Sequence, residues 1–419
     1  MPMQNLMIDG DRLWQTIMET AALGATADGG VRRLTLGEED KQVRDWFRDE
    51  CEAVGCTVEV DEVGNMFARR PGRSADALPI AIGSHLDTQP TGGKFDGILG
   101  VLAGLEIFRT LHAAGYETEM PLMLVNWTNE EGARFAPAML GSGVHAGVFD
   151  KAFADSRTDA DGVSFAEAIE DIGYRGTMPI RQIRFAAMFE LHIEQGPVLE
   201  RENADIGIVT GVQAMRWYDL AIRGREAHAG STPMDMRCDA LADAASIILE
   251  TQAAARSLGA MATTGQLSII SPSRNVIPGH VTLSLDLRHE SDEELDRLEA
   301  AVSHLIAKQC GERAHLEVVW NSPAVRFDPR CIQAVREAAE KSHATTSEIV
   351  SGAGHDSVYV SRVAPTAMIF IPCKDGVSHN PAESAEKDQC TMGTQVLLET
   401  IIAYQSSMAS EQQTFQRQS

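Results

Sequence analysis

The chain has 419 residues, of which 44% are apolar, and a formal net charge of −24. That length exceeds what one hydrophobic core serves well, so two domains are expected. The charge excludes nucleic acid and anionic membrane as partners, since both demand a cationic surface; a local arginine can still hold a small anion.

Taken in order, residues 11–22 have the spacing of an amphipathic helix, with Leu13, Ile17 and Leu23 on one side. A second covers 38–54, with Val43, Trp46 and Phe47 apolar. Residues 57–70 alternate and turn at Gly64-Asn65, which predicts a hairpin or a bent pair of strands. The apolar run 78–82 reads as a buried strand and ends in Gly83-Ser84-His85-Leu86-Asp87-Thr88. Gly93-Lys94-Phe95-Asp96-Gly97 follows, and a helix fills 97–114. A strand over 121–128 delivers Asn129-Glu130-Glu131; another over 187–191 delivers His192-Ile193-Glu194-Gln195-Gly196-Pro197. Helical stretches lie at 142–148 and 164–172.

Near Val209 the pattern changes. Strands at 216–223, 266–271, 280–288 and 315–321 and helices at 238–256 and 292–309 give the order βαββαβ, a ferredoxin-like unit. After Phe327 the first pattern returns, with a helix at 329–341, strands at 347–350 and 365–371, Gly376-Val377-Ser378-His379-Asn380-Pro381, and a closing helix at 386–404. Residues 406–419 are rich in Gln and Ser and are expected to fray. The domains expected are 1–210 and 328–419, interrupted by 211–327. Seven scattered cysteines (Cys51, Cys56, Cys238, Cys310, Cys331, Cys373 and Cys390), with no Cys-x-x-Cys pair, read as reduced thiols and a cytoplasmic setting. The first ten residues carry no apolar core of a signal peptide, and no run approaches the ~20 apolar residues of a membrane helix.

The chemistry collects at strand tips: His85, Asp87, Asp96, Glu130, Glu131, His192 and His379. In open α/β sheets ligands bind there. Imidazoles with carboxylates suit Zn, Mn, Co or Ni rather than a cysteine-bound structural zinc. Two ions sharing one carboxylate need about five protein ligands. His85, Asp96, Glu131, His192 and His379 make up that set. Glu130 is then left as an uncoordinated base, and Asp87 is free to hold the second nitrogen of His85.

These segments resemble the M20-type metallohydrolases, and more closely the amidase branch containing N-carbamoyl-L-amino acid hydrolases, β-ureidopropionases and allantoate amidohydrolases. The resemblance spans nearly the whole chain. Its most specific stretches are 83–88, 93–97, 129–135, 192–197, 224–233 and 376–383. It implies an α/β fold, a di-metal aminopeptidase-like catalytic domain of mixed sheet and flanking helices, interrupted by a lid and dimerisation domain. It implies that Asp96 bridges the ions, that Glu131 and His379 serve the second, that Glu130 is the general base, and that Gln195 binds a ureido group. His228, in Gly224-Arg225-Glu226-Ala227-His228-Ala229-Gly230, would reach the partner's site in a homodimer and polarise the scissile carbonyl. Asn275, likewise reaching the partner's site, and Arg288 match carboxylate-binding positions, with Arg216 a further candidate. Gly354, in 352–356, offers backbone donors ahead of a helix, unless that segment only caps the helix.

The implied reaction is hydrolysis of the ureido C–N bond of an N-carbamoyl-L-amino acid, or of N-carbamoyl-β-alanine. Rival readings are an allantoate amidohydrolase, an aminopeptidase or dipeptidase, and a non-catalytic metal-binding protein. Gln195 with Asn275 and Arg288 weighs against the peptidase. The free Glu130 weighs against the inert protein, because a site that only binds metal needs no base.

Overall fold

The polar strand tips fall along one edge of a mixed sheet, and the order of its strands explains why. In this computed structural model, which describes residues 6–270 and 272–418 with side chains through 408, the chain begins with α1 (Gly10–Thr20) and α2 (Glu38–Ala53). The hairpin β1 (Thr57–Val60) and β2 (Met66–Arg70) turns on Asp61, whose carboxylate accepts the N–H groups of Val63 and Asn65. Then come β3 (Ile80–His85), α3 (Ile98–Ala113) and β4 (Leu122–Trp127). The short helices α4 (Leu140–Ala146), α5 (Lys151–Asp155) and α6 (Phe165–Asp171) lead to β5 (Ala187–Ile193), α7 (Val198–Glu202) and β6 (Ile206–Val212).

The insertion holds β7 (Ala214–Arg223), α8 (Ala240–Ser257), β8 (Met261–Thr263), β9 (Leu267–Ile269), β10 (His280–His289), α9 (Asp292–Cys310), β11 (Ala314–Ser322) and the two-residue β12 (Val325–Arg326). The chain ends with α10 (Pro329–Lys341), β13 (Thr346–Ser351), α11 (Asp356–Val360), β14 (Thr366–Ile371) and α12 (Lys387–Gln418). It divides into two compact units, 1–210 with 327–419 and 211–326. Phe327 counts with the first, its N–H donating to the carbonyl of Thr210.

In the first unit the strand order runs β1-β2-β4-β3-β5-β14-β6. β4, β3, β5 and β14 are parallel neighbours, so their C-terminal ends share one edge. They are buried throughout, as their unbroken apolar runs require of strands covered on both faces. α3 is buried nearly all round, which accounts for its lack of a polar face. β3 and β5 pair only from Ile80 to Ile82 and from Ala187 to Phe189. Beyond that point the pairing stops, and Glu190 reaches Ser84 Oγ on β3 and both the Oγ and the N–H of Ser357.

In the second unit β7 lies between β11 and β10, and β8 and β9 share the far side of β10, all antiparallel. This is the ferredoxin-like order that βαββαβ predicts. Val281, Leu283, Leu285 and Leu287 alternate inward on β10 and pack with Leu220, Ile222, Ile247, Leu295, Leu298 and Val302.

Three expectations need correcting. The strand at 266–271 is only the three-residue β9, with a further short strand, β8, ahead of it at Met261–Thr263, and Ser271 lies outside the described residues. β6 went unread because its glycines, Gly207 and Gly211, interrupt the apolar pattern. α12 does not fray after Tyr404 but runs to Gln418, since glutamine is a good helix former and no Gly or Pro follows Gly393 to stop it; Ser419 lies outside the described residues.

Candidate metal centre

His85, Asp96, Glu130, Glu131, His192 and His379 meet at the C-terminal edge of the sheet. Asp96 is central. Its Oδ1 lies 3.2 Å from His192 Nε2 and 3.6 Å from His85 Nε2; its Oδ2 lies 3.4 Å from His379 Nε2. His379 Nε2 is in turn 3.5 Å from Glu131 Oε2. Two groups of possible ligands result, His85 with Asp96 and His192, and Asp96 with Glu131 and His379. The first is buried throughout; the second is reached through the half-exposed His379. Glu130 belongs to neither group, and its Oε2 lies 3.5 Å from His85 Nε2.

The imidazoles are oriented for ligation. His85 Nδ1 lies 2.9 Å from the carbonyl of Asp87, and His192 Nδ1 is 2.9 Å from that of Ile193. Each ring therefore donates from Nδ1 and keeps its lone pair on Nε2, facing Asp96. Asp87 thus holds the second nitrogen of His85 through its carbonyl, while its carboxylate stands 3.8 Å from Nδ1. That carboxylate accepts instead from Thr35 Oγ1 at 2.7 Å and from the N–H groups of Glu130 and Glu131, both at 3.3 Å. Asp87 thus ties the tip of β3 to the tip of β4. Asn129 adds to this, with φ +60 and its Nδ2 donating to the carbonyls of Phe135 and Pro137. Glu131 is fixed by Gln89, whose Nε2 donates to Oε2 at 2.7 Å and whose N–H donates to Oε1.

The electrostatics ask for a cation. Burial pushes the Glu130 carboxyl well above its ordinary value, and Asp356, Glu131, Asp87 and Asp96 push it further. Burial and Asp96 raise Glu131 to about 8. Burial acts on Asp96 in the same direction, but hydrogen bonds from His192 and His379 outweigh it and hold that carboxyl well below the usual range. The hydrogen bond to Asp96 is the main cause raising His379 to about 9; burial would lower His192, but Asp96 raises it to about 9 as well. Yet the Gly97 N–H donates to His192 Nε2 at 3.0 Å, which opposes a proton on that nitrogen. Positive charge is needed where nitrogen lone pairs point. Among the described residues the ion-pair partners of Asp96, Glu130 and Glu131 are imidazoles, with no lysine or arginine. This donor set fits a divalent metal.

The comparisons agree with that chemistry. Residues 81–403 match the model of peptidase family M20/M25/M40. The chain belongs to that family. Within the M20 family it falls in the amidase branch. It is 45% identical over 406 residues, 96% of this chain and 98% of the other, to an N-carbamoyl-L-amino-acid amidohydrolase of Rhizobium meliloti. It is 35% identical to an allantoate amidohydrolase of Bacillus subtilis, covering 91% of this chain and 94% of that one. The crystal structure of an amidase of the hydantoinase/carbamoylase family from Burkholderia multivorans superposes with a TM-score of 0.91 at 48% identity, covering 96% of this chain and 99% of that one. Like these M20 relatives, the chain is a hydrolase, and its site is one for divalent metal.

Gln195 and Gly354 lie in the same unit as the metal centre. Gln195 has φ +58, and its Nε2 donates to Asp96 Oδ2 at 2.8 Å; its Oε1 is buried without a hydrogen-bond partner. Gly354 borders the Met139 side chain, just ahead of α11. In the insertion His228 and Asn275 are neighbours: His228 bridges Val276, and the Ala229 N–H donates to the Asn275 carbonyl. The Gly230 and Ser231 N–H groups both donate to His228 Nδ1, at 3.0 and 3.2 Å. Arg288 sits at the other end of β10 and pairs with Asp286 at 2.7 Å. The Arg216 guanidinium is likewise ion-paired, with Asp296 and Glu299 on α9.

Sequence reasoning missed three participants. The His355 ring stacks edge-on to His192 with centroids 4.6 Å apart, and burial holds it neutral by pushing its pKa well down. Gln89 and Glu383 contact the ligands themselves. His355 lay in a flagged segment. Glu383 closed the flagged segment 376–383 without a role being read for it, and Gln89 carried no signal, because its partner is remote in sequence.

Proposed function

We propose that this protein is a metal-dependent amidohydrolase cleaving the ureido C–N bond of N-carbamoyl-L-amino acids, or of N-carbamoyl-β-alanine, to the amino acid, carbon dioxide and ammonia. The observation that carries the reading is 45% identity, across 96% of the chain, to a relative named for that activity. A second reading, allantoate hydrolysis, is favoured by the 35% identical relative.

His85, Asp96, Glu131, His192 and His379 would hold two divalent cations, Zn, Mn, Co or Ni, with Asp96 shared. Such ions supply Lewis acidity, polarising a carbonyl and lowering the pKa of water. Glu130, outside both ligand groups, takes the proton of the attacking water and delivers it to the leaving nitrogen. The unpartnered Oε1 of Gln195 suits it to accept a ureido N–H. Two backbone N–H groups donating to Nδ1 of His228 leave Nε2 as the nitrogen that bears the ring proton, as a donor to the ureido oxygen needs. Asn275 and Arg288 would hold the substrate carboxylate.

We take the enzyme to act as a homodimer. From His280 to Arg288 the extended strand covers roughly 27 Å, and His228 and Asn275 lie beyond His280. No ordinary N-carbamoyl amino acid spans that distance. If all three residues touch one substrate, His228 and Asn275 come from one copy and Arg288 from the other. The exposed apolar residues of the insertion, Trp217, Leu249, Val318 and Val319, support an association surface there. The seven free cysteines support a cytoplasmic setting, and no described helix is long and apolar enough to cross a membrane.

The test is ammonia release from a panel of N-carbamoyl-L-amino acids, N-carbamoyl-β-alanine and allantoate, with Mn, Co, Ni or Zn added and with chelator. Turnover of the carbamoyl substrates, lost on chelation, is expected. Turnover of allantoate alone selects the second reading. Cleavage confined to a dipeptide control would remove both.

A further inference from the structure

We propose that Glu383 is a positioning residue that locks the shared carboxylate of Asp96 to the loop carrying His379, and so sets the affinity for the second ion. The inference rests on the metal-centre reading given above.

Glu383 is buried and uses both carboxylate oxygens. Its Oε1 accepts the backbone N–H groups of Phe95 and Asp96, each at 3.0 Å. Its Oε2 lies 2.9 Å from Ser378 Oγ, and that hydroxyl is 2.8 Å from Asp96 Oδ2. One side chain therefore grips the Asp96 backbone directly and meets its carboxylate through Ser378, across 287 residues of sequence. The oxygen concerned, Oδ2, is the one that faces His379. The loop bends back on itself as well, the Glu383 N–H donating to the Asn380 carbonyl. His379 has φ +55, a left-handed conformation rare for a residue with a side chain, and so needs its flanks held.

The approach is close. A Cβ on Gly93 would lie 2.2 Å from the Glu383 carboxyl, so glycine is required there for the grip to form. The two histidines of the first ligand group have their own supports, the carbonyls of Asp87 and Ile193, and neither passes through Glu383; Asp96 meets them through Oδ1, not through the Oδ2 that contacts Ser378. Among the described residues no backbone carbonyl orients the His379 ring as Asp87 and Ile193 orient the others; outside this loop and the acids Asp96 and Glu131, its Nε2 lies 3.4 Å from Gln195 Nε2. Loss of the clamp should therefore weaken one ion and spare the other.

The experiment is titration of the metal-free protein with Zn or Mn against a chromophoric chelator, which reads each ion without substrate. Glu383→Ala is expected to weaken the looser ion about 10- to 100-fold and leave the tighter one within about threefold. Glu383→Gln should stay near wild type. Its Oε1 still accepts both N–H groups, and its Nε2 donates to Ser378 Oγ. Should Glu383→Ala fail to fold, Ser378→Ala cuts only the hydroxyl link and is expected to weaken the same ion by about tenfold or less. Two equal, undisturbed affinities in Glu383→Ala or Ser378→Ala overturn the inference. Damage in Glu383→Gln equal to that in Glu383→Ala also overturns it, because charge and not the clamp would then matter. A wild type that binds both ions but releases no ammonia leaves the inference standing and removes the proposed substrate instead.

Discussion

His85 and His192 solve the same problem in the same way, each spending its Nδ1 proton on a backbone carbonyl so that Nε2 is aimed at Asp96. The residue types were legible in the sequence, because histidine and aspartate at strand ends have few structural reasons to be there. Their supports were not. Asp87 was read as the partner of His85, and it is, but through its carbonyl; its carboxylate turns to the backbone of Glu130 and Glu131. No spacing rule separates those two uses of one residue. Gly97 gives a test at this scale. It has φ +67, and a Cβ there would stand 2.2 to 2.5 Å from the His85 ring. Gly97→Ala is expected to cost about 1 kcal/mol or more in backbone strain and to tilt His85 away. Metal affinity measured by chelator competition should fall at least tenfold in Gly97→Ala, while far-ultraviolet circular dichroism stays native. Wild-type affinity in that variant would show that the ring is not held where it is drawn.

At the scale of elements, most strands and helices were readable because apolar period and breakers agree. The misreadings fall where they do not. β6 hides behind its glycines, and α12 outlasts its apolar stripe. α4 is another element whose chemistry the sequence concealed. Its His145 packs against Phe185, with ring centroids 5.3 Å apart, and Trp127, at 5.1 Å. Burial, assisted by the positive charge of Arg181, lowers its pKa from 6.5 to about 4. The unfolded chain takes up this proton as pH falls below 6.5, whereas the folded chain resists until about 4. Stability is therefore lost on acidification through that window and levels off below it, by about 3 kcal/mol in all. His145→Phe removes the titration. Urea unfolding at a series of pH values should show the difference between variant and wild type growing by about 3 kcal/mol from pH 7 to pH 4. Parallel pH profiles would rule out a neutral, buried His145.

For the whole molecule, the interruption of one fold by another was legible because the order βαββαβ is self-contained, while the strands before and after it share apolar character. The proposed homodimer was legible only by resemblance, since no residue pattern states a distance. The length of β10 supplies that distance and leads to a test by mixing. His228→Ala and Glu130→Gln should each be inactive alone. On random one-to-one exchange about half of the dimers are hybrids with one of their two sites intact, so the mixture should regain about a quarter of wild-type activity. No recovery after demonstrated exchange would place His228 in its own chain's site.

The central claim is that five side chains hold two cations and a sixth, Glu130, remains free to move protons. It is tested most directly by counting bound metal and ammonia release on one preparation of Glu130→Gln. Two ions per chain, as in wild type, with turnover reduced at least 1,000-fold is the expected result. Loss of an ion together with activity would make Glu130 a ligand, and retained turnover would deny it any part in the reaction.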